Sequence, residues 1–125
     1  RRLAAATDAR LHVVAVADDT LPIARTPVGA VGALARWDEI VAAARAQARD
    51  LIAELTADGS ATGEVREGGA PEELAAAARE RDADLLVVGS RHWGPVAAIA
   101  IGGTAEELLR GCPCPLLLVP RPEAR

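Results

Sequence analysis

Apolar and polar residues follow one another along the chain in blocks whose spacing predicts alternating helices and strands. Residues Arg2 to Ala9 are typical of the last turns of a helix, which ends near Asp8. The run from Leu11 to Ala17 is almost wholly apolar and rich in β-branched residues, so it predicts a strand covered on both faces. Between Thr20 and Gly32, prolines and glycines interrupt every period, and this stretch predicts a loop.

A long amphipathic helix is predicted next, because apolar residues recur every three or four positions until Asp58, Gly59 and Ser60 end the pattern. The apolar stripe contains Trp37, Val41, Ala44, Ala48, Leu51, Ile52 and Leu55. The intervening polar residues are expected to face water, and they are Arg36, Glu39, Arg45, Arg49 and Glu54.

The second half of the chain continues the alternation. In order, the predicted elements are a short edge or near-edge strand over Thr62–Glu67, a helix from Pro71 to Arg81, a strand over Leu85–Val88, a helix from Thr104 to Gly111 and a strand over Leu116–Val119. Thr104 and Glu107 match a capping box at the start of the last helix. This alternation predicts one α/β domain over residues 1–125, with a parallel sheet and helices on both of its faces.

Composition and charge exclude several classes of function. The formal net charge is −4 and the basic residues, all arginines, are scattered, so no basic face for general nucleic-acid binding is expected. No apolar run approaches the ~20 residues of a membrane span and no secretory signal is present, so we expect a cytoplasmic protein without membrane contact. Cys112 and Cys114 have no other cysteine or histidine at metal-ligand spacing. A zinc site is therefore not predicted, and both cysteines are expected simply to be packed.

One stretch carries the pattern of a phosphate-binding loop. Gly89 follows a buried strand, and Gly102 and Gly103 precede the helix that starts at Thr104. Backbone N–H groups at such a helix start can bind a phosphate, and Arg91 could add a charge-assisted contact. A chain without lysine cannot form a P-loop, and the first strand does not end in the glycines of a dinucleotide fingerprint. The alternative is that these glycines only permit turns.

The stretch Leu85–Val119, preceded by Gly69–Leu74, resembles the C-terminal half of a universal stress protein domain, and Arg10–Val14 is similar to the second strand of that domain. The resemblance implies an open, twisted, five-stranded parallel sheet with helices on both faces, a Rossmann-like fold of the adenine nucleotide alpha hydrolase type. It also implies a homodimer that pairs through the last strand, here Leu116, Leu117, Leu118 and Val119. A central first strand is implied as well, and none precedes Arg1. Since a parallel sheet cannot omit its middle strand, we expect the sequence to lack N-terminal residues, the alternative being that another segment fills that place.

Some members of the family that the chain resembles hold ATP through the pattern Gly-x2-Gly-x9-Gly-(Ser/Thr). Gly89 supplies its first position and Gly102 its third. His92 replaces the second glycine, and Gly103 stands where the hydroxyl residue belongs, although Thr104 offers a hydroxyl one place later. Because glycine leaves room for a phosphate that a Cβ would fill, we expect the two replacements to weaken nucleotide binding.

The resemblance therefore implies a regulatory domain of the stress response that binds ATP or AMP at the carboxyl ends of its strands. The implied nucleotide contacts are Val16, Val88, Gly89, Arg91, Gly102, Gly103 and Thr104, with Val16 beside the adenine. The alternative is a nucleotide-free homodimerisation or adaptor module of the same fold, without a cofactor. The sequence shows no catalytic constellation and no metal site, so an enzyme is not predicted.

Overall fold

In the computed structural model of the protein, residues 1–17, 37–89 and 103–120 are described. The chain divides into two compact units, Arg1–Gly69 and Ala70–Arg125. Each unit contains helices and one pair of parallel strands. The loop predicted between Thr20 and Gly32 lies outside the described residues.

The first unit is built around the strand pair that follows its short first helix. Its elements are α1 (Arg2–Thr7), β1 (Leu11–Ala17), α2 (Trp37–Thr56) and β2 (Ala61–Glu67). β1 and β2 pair in parallel register, from Leu11 opposite Ala61 to Ala17 opposite Glu67. Asp8 ends α1 in the left-handed conformation, with φ 52°, and its N–H donates to the Ala4 carbonyl. The helix end near Asp8, the long helix and both strands predicted for this unit are confirmed.

Close packing of α2 on the strand pair depends on Gly63. α2 contacts both strands. A Cβ at Gly63 would lie 2.7 Å from Ile52 Cγ2 and 3.0 Å from Thr56 Cγ2. Because carbon atoms pack at about 3.5–4.0 Å, the missing side chain is what allows α2 to approach β2 this closely.

One residue of α2 departs from the predicted burial, and another makes a contact that the sequence did not predict. Leu51, predicted within the apolar stripe, is 48% exposed. Arg45, predicted to face water, is half-buried, and its guanidinium donates to the Glu67 carboxylate at 2.9 Å. The side chains of Arg45 and Glu67 are 39% and 43% exposed, so this contact links α2 to β2 at the surface. Val41 and Ala48 are buried as the stripe predicts.

The second unit repeats the plan of two helices and one parallel strand pair. Its elements are α3 (Ala70–Glu80), β3 (Leu86–Gly89), α4 (Gly103–Gly111) and β4 (Leu116–Val119). β3 and β4 pair in parallel register, from Leu86 opposite Leu116 to Gly89 opposite Val119. Parallel neighbours need a crossover connection, and α4 lies within it. The four elements predicted for this part of the chain are confirmed.

Three elements of the second unit have boundaries that differ from the prediction by one residue. α3 covers Ala70–Glu80, where the sequence predicts a helix from Pro71 to Arg81. β3 begins at Leu86, whose N–H donates to the Pro115 carbonyl at 3.0 Å, and it extends through Gly89. α4 begins at Gly103. Thr104 therefore lies in the first turn of α4, and its capping box with Glu107 stays a prediction.

The alternation of helices with parallel strands in both units confirms the predicted α/β class. The described strands form two parallel sheets of two strands each, β1–β2 and β3–β4. None of the helices within the described residues combines the length and the apolarity that a bilayer crossing requires.

Candidate functional site

The carboxyl ends of β3 and β4 lie side by side, because Gly89 at the end of β3 pairs with Val119 at the end of β4. Ligands of open parallel sheets bind at this edge. Gly89 is exposed, and the nearest described atom to a Cβ placed there is the Val119 carbonyl oxygen, 4.0 Å away. Among the described residues, the backbone at Gly89 is therefore open to close approach by a ligand.

The N-terminus of α4 lies toward the same edge. α4 contacts β4, and four residues join Gly111 at the end of the helix to Leu116 at the amino end of the strand. The helix and the strand are each about 13 Å long. A helix that ends beside the amino end of β4 and packs along the strand has its first turn toward the carboxyl edge. The N–H groups of that turn have no intrahelical partners and carry the positive end of the helix dipole.

Packing holds α4 in place. Leu108 is 1% exposed, and Ala105 is also buried, so one face of the helix lies in the core. At the C-terminal end of α4, the Arg79 guanidinium of α3 donates to the Gly111 carbonyl at 3.3 Å. These contacts fix the position of the first turn, as binding by backbone N–H groups requires.

One acidic side chain at the start of α4 is paired along the helix. Glu106, in the first turn, lies 3.5 Å from the Arg110 guanidinium, one helical turn further on. Both side chains are exposed, so the pair contributes little to stability. The contact places the Glu106 carboxylate toward the C-terminal end of α4.

The structure describes five of the seven predicted nucleotide contacts. Val88 is half-buried in β3, Gly89 ends that strand, and Gly103 and Thr104 form the start of α4. Val16 lies in β1, in the first unit, and its place beside an adenine stays a prediction. The other two, Arg91 and Gly102, lie outside the described residues, as does His92.

A row of polar side chains on the β1–β2 pair was missed by the sequence analysis. His12 Nδ1 lies 2.7 Å from Thr62 Oγ1, and its Nε2 lies 3.3 Å from Glu64 Oε1. Glu64 Oε1 is in turn 3.6 Å from the Arg66 guanidinium. In the register of this pair, Arg66 is the partner of Val16. The alternation of Thr62, Glu64 and Arg66 along one strand was the available signal, since alternate residues share a face.

Metal binding finds no support in the described ranges. No three side chains among the described histidines, cysteines, aspartates and glutamates lie close enough together to hold an ion. The absence of a metal site in this chain stays a prediction.

Comparisons with known proteins agree on one family. A model of the universal stress protein family matches residues 1–120. Among solved structures, the chain is similar to universal stress protein UspA from Lactobacillus plantarum, with 19% identity, a TM-score of 0.72, and coverage of 94% of this chain and 82% of that chain. It is also similar to a protein of the universal stress protein family from Burkholderia pseudomallei, with 27% identity, a TM-score of 0.57, and coverage of 96% and 80%. No curated protein matches the chain.

Proposed function

Because the chain belongs to the universal stress protein family, we propose that it is a cytoplasmic regulatory domain of the stress response that binds an adenine nucleotide, ATP or AMP. The family predicted from the residues around Leu85–Val119 is the family found. The proposal includes the five-stranded parallel sheet that the resemblance implies. It also includes the role of the protein as a regulator and not as an enzyme.

The open backbone at Gly89 is the observation that supports the nucleotide site best. No described side chain crowds this position, and the first turn of α4 lies toward the same edge of the strands. A phosphate there would accept hydrogen bonds from backbone N–H groups of Gly103 and Thr104 and would meet the positive end of the helix dipole. The proposed site therefore holds the phosphates through the backbone.

Titration calorimetry on the full chain with ATP, AMP and cyclic AMP tests this proposal. The matched pair of variants is Gly89→Ala, at the proposed site, and Gly111→Ala, at the other end of α4, where no described atom lies within 4 Å of a new Cβ. We expect Gly89→Ala to weaken ATP binding roughly tenfold, about 1.4 kcal/mol, without lowering the Tm. Gly111→Ala should bind as the unchanged chain does. No heat and no rise in Tm at millimolar nucleotide would overturn the proposal.

The replacement of a motif glycine by His92 gives a second test of the same site. If the Cβ and ring of His92 crowd the phosphates, His92→Gly should tighten ATP binding, by roughly tenfold. The other replacement is tested by Gly103→Ser, which supplies the hydroxyl donor at the motif position. Unchanged ATP binding in both variants would show that the loop does not act on phosphate, and weaker binding by His92→Gly would show that His92 does not crowd the phosphates.

A nucleotide-free homodimerisation module is the second candidate function. It is favoured by the two motif replacements, His92 and Gly103, and by the apolar side chains that β4 exposes, Leu117 at 41% and Val119 at 47%. In this case the chain would give no heat with any nucleotide and would still form dimers. The two candidates are thus separated by the calorimetric titration.

A further inference from the structure

Two thiols lie next to each other where α4 leads into β4. Cys112 and Cys114 belong to the four-residue connection between these elements, and their Sγ atoms are 3.8 Å apart. Both side chains are half-buried and both thiols are free. They are the chain's two cysteines, so no other thiol of the same chain competes with either.

Hydrogen bonds fix the backbone on both sides of this thiol pair. The Cys112 N–H donates to the Leu108 carbonyl at 2.8 Å, which continues the helix pattern, and Leu108 is buried. After the second thiol, the Pro115 carbonyl accepts from the Leu86 N–H at 3.0 Å, the first link between the ends of β4 and β3. Pro113, between the two cysteines, has a fixed φ. The connection is thus anchored at both ends and stiff in its middle.

We propose that Cys112 and Cys114 form a reversible intramolecular disulfide when the protein meets a peroxide. One thiolate attacks the O–O bond of hydrogen peroxide, which gives a sulfenic acid and, after proton uptake, a water molecule. The second thiol attacks the sulfenic sulfur, the S–S bond forms and a second water leaves. The two thiols lose two electrons and two protons in all, and the peroxide is reduced to two waters.

The geometry requires only a local movement. The Sγ atoms must approach from 3.8 Å to the disulfide distance of about 2.05 Å. Rotation of the two side chains about χ1 can supply this change without breaking the hydrogen bonds at Leu108 and Pro115. Since the closed ring contains a single intervening residue, Pro113, the bond is expected to be strained and readily reduced by a small thiol. The two cysteines are therefore a redox pair and not only packing residues.

The surroundings of Cys114 set the pH dependence of this reaction. Burial, together with the hydrogen bond to Cys112, raises the pKa of the Cys114 thiol above its ordinary value. Because the thiolate is the nucleophile, attack by Cys114 is slow at neutral pH. The rate of disulfide formation is expected to rise as the pH increases above neutrality.

Mass spectrometry of the full chain tests the proposal. The reduced protein is exposed to hydrogen peroxide, unreacted thiols are capped with a maleimide, and the chain is cleaved after Arg110, which leaves both cysteines in one peptide. The expected product has lost the mass of two hydrogen atoms and carries no maleimide, and dithiothreitol restores two reactive thiols. Capture of maleimide by both thiols after peroxide, or a product consisting of sulfinic acids or disulfide-linked dimers, would overturn the proposal.

The variants Cys112→Ser and Cys114→Ser are the matched controls. Each should lose the intramolecular product and give sulfinic acid or linked dimers through its remaining thiol. Equilibration of the unchanged chain with glutathione, in buffer and in urea, measures how strongly the fold favours the disulfide over the two thiols. This measurement needs no variant. We expect the disulfide to be at least tenfold more favoured in the folded chain, about 30 mV for this two-electron couple. Equal values in buffer and in urea would show that the fold does not bring the thiols together.

Discussion

Gly63 sets the distance between α2 and β2, and this gives a prediction for a single residue. In Gly63→Ala the new Cβ would lie 2.7 Å from Ile52 Cγ2, so the helix or the side chain must move. We expect the variant to lose about 1–2 kcal/mol of unfolding free energy, measured by urea denaturation. The control is Gly111→Ala, where the new Cβ meets no described atom and stability should be unchanged or slightly increased. Equal stability of Gly63→Ala and the unchanged chain would show that α2 is not held at this distance.

Asp58 gives a pH-dependent prediction at the same scale. Its carboxylate accepts hydrogen bonds from the Ser60 hydroxyl at 2.6 Å and the Ser60 N–H at 2.9 Å, and it pairs with the Arg1 guanidinium at 3.0 Å. These contacts, those of Ser60 first, lower the pKa of Asp58. The folded state thus binds the proton less readily than the unfolded state. The stabilisation is fully present above the ordinary carboxyl pKa and is lost as the pH falls through the lowered value.

The variant Asp58→Asn should therefore unfold at a lower urea concentration than the unchanged chain at pH 7. Because the Asp58 side chain is exposed, the difference is expected to be small. It should shrink as the pH falls below the ordinary carboxyl pKa. Asp50→Asn, at an exposed carboxylate on α2, is the control. A difference for Asp58→Asn that stays constant across this pH range would contradict the account.

Among the elements, α4 depends most clearly on one side chain. Leu108 is 1% exposed, whereas its neighbour Leu109 is 61% exposed. The same substitution at these adjacent positions should therefore cause a large loss of stability at Leu108 and almost none at Leu109. Leu108→Ala is expected to cost about 3 kcal/mol of unfolding free energy because it removes buried methyl groups and leaves a cavity. Leu109→Ala should stay within about 0.5 kcal/mol of the unchanged chain. Urea denaturation of the two variants measures both, and similar losses would mean that α4 is not packed as described.

Helices and strands were predictable here because their periods are local properties of the sequence. The apolar run before Gly89 placed that glycine at the end of a strand without any knowledge of the fold. The contact between Arg45 and Glu67 was not predictable, because the two residues are distant in sequence and meet only when α2 packs on β2. The contacts of His12 with Thr62 and Glu64 depend in the same way on the register between β1 and β2, whereas the alternation of polar residues along β2 was visible in the sequence.

At the scale of the whole molecule, the described β3–β4 pair exposes apolar side chains on one face. Val87, Leu117 and Val119 share this face by alternation and are each about half exposed. In the described part of the chain, β4 pairs with β3 on one side and with no strand on the other. An unpaired strand edge with apolar side chains favours pairing with another chain. We therefore expect two copies to pair through β4 with two-fold symmetry.

Light scattering at tens of micromolar protein should thus give a mass twice the 12.9 kDa of one chain. Leu117→Glu places a charge on the strand that pairs, so it should shift the protein toward monomer. The matched control is Leu51→Glu, which introduces the same charge at a leucine of α2 that is 48% exposed, and it should remain a dimer. If the unchanged chain is a monomer at this concentration, pairing through β4 is excluded. If Leu117→Glu stays dimeric, the two copies meet through another surface, and the apolar face of β3–β4 is then not what holds them together.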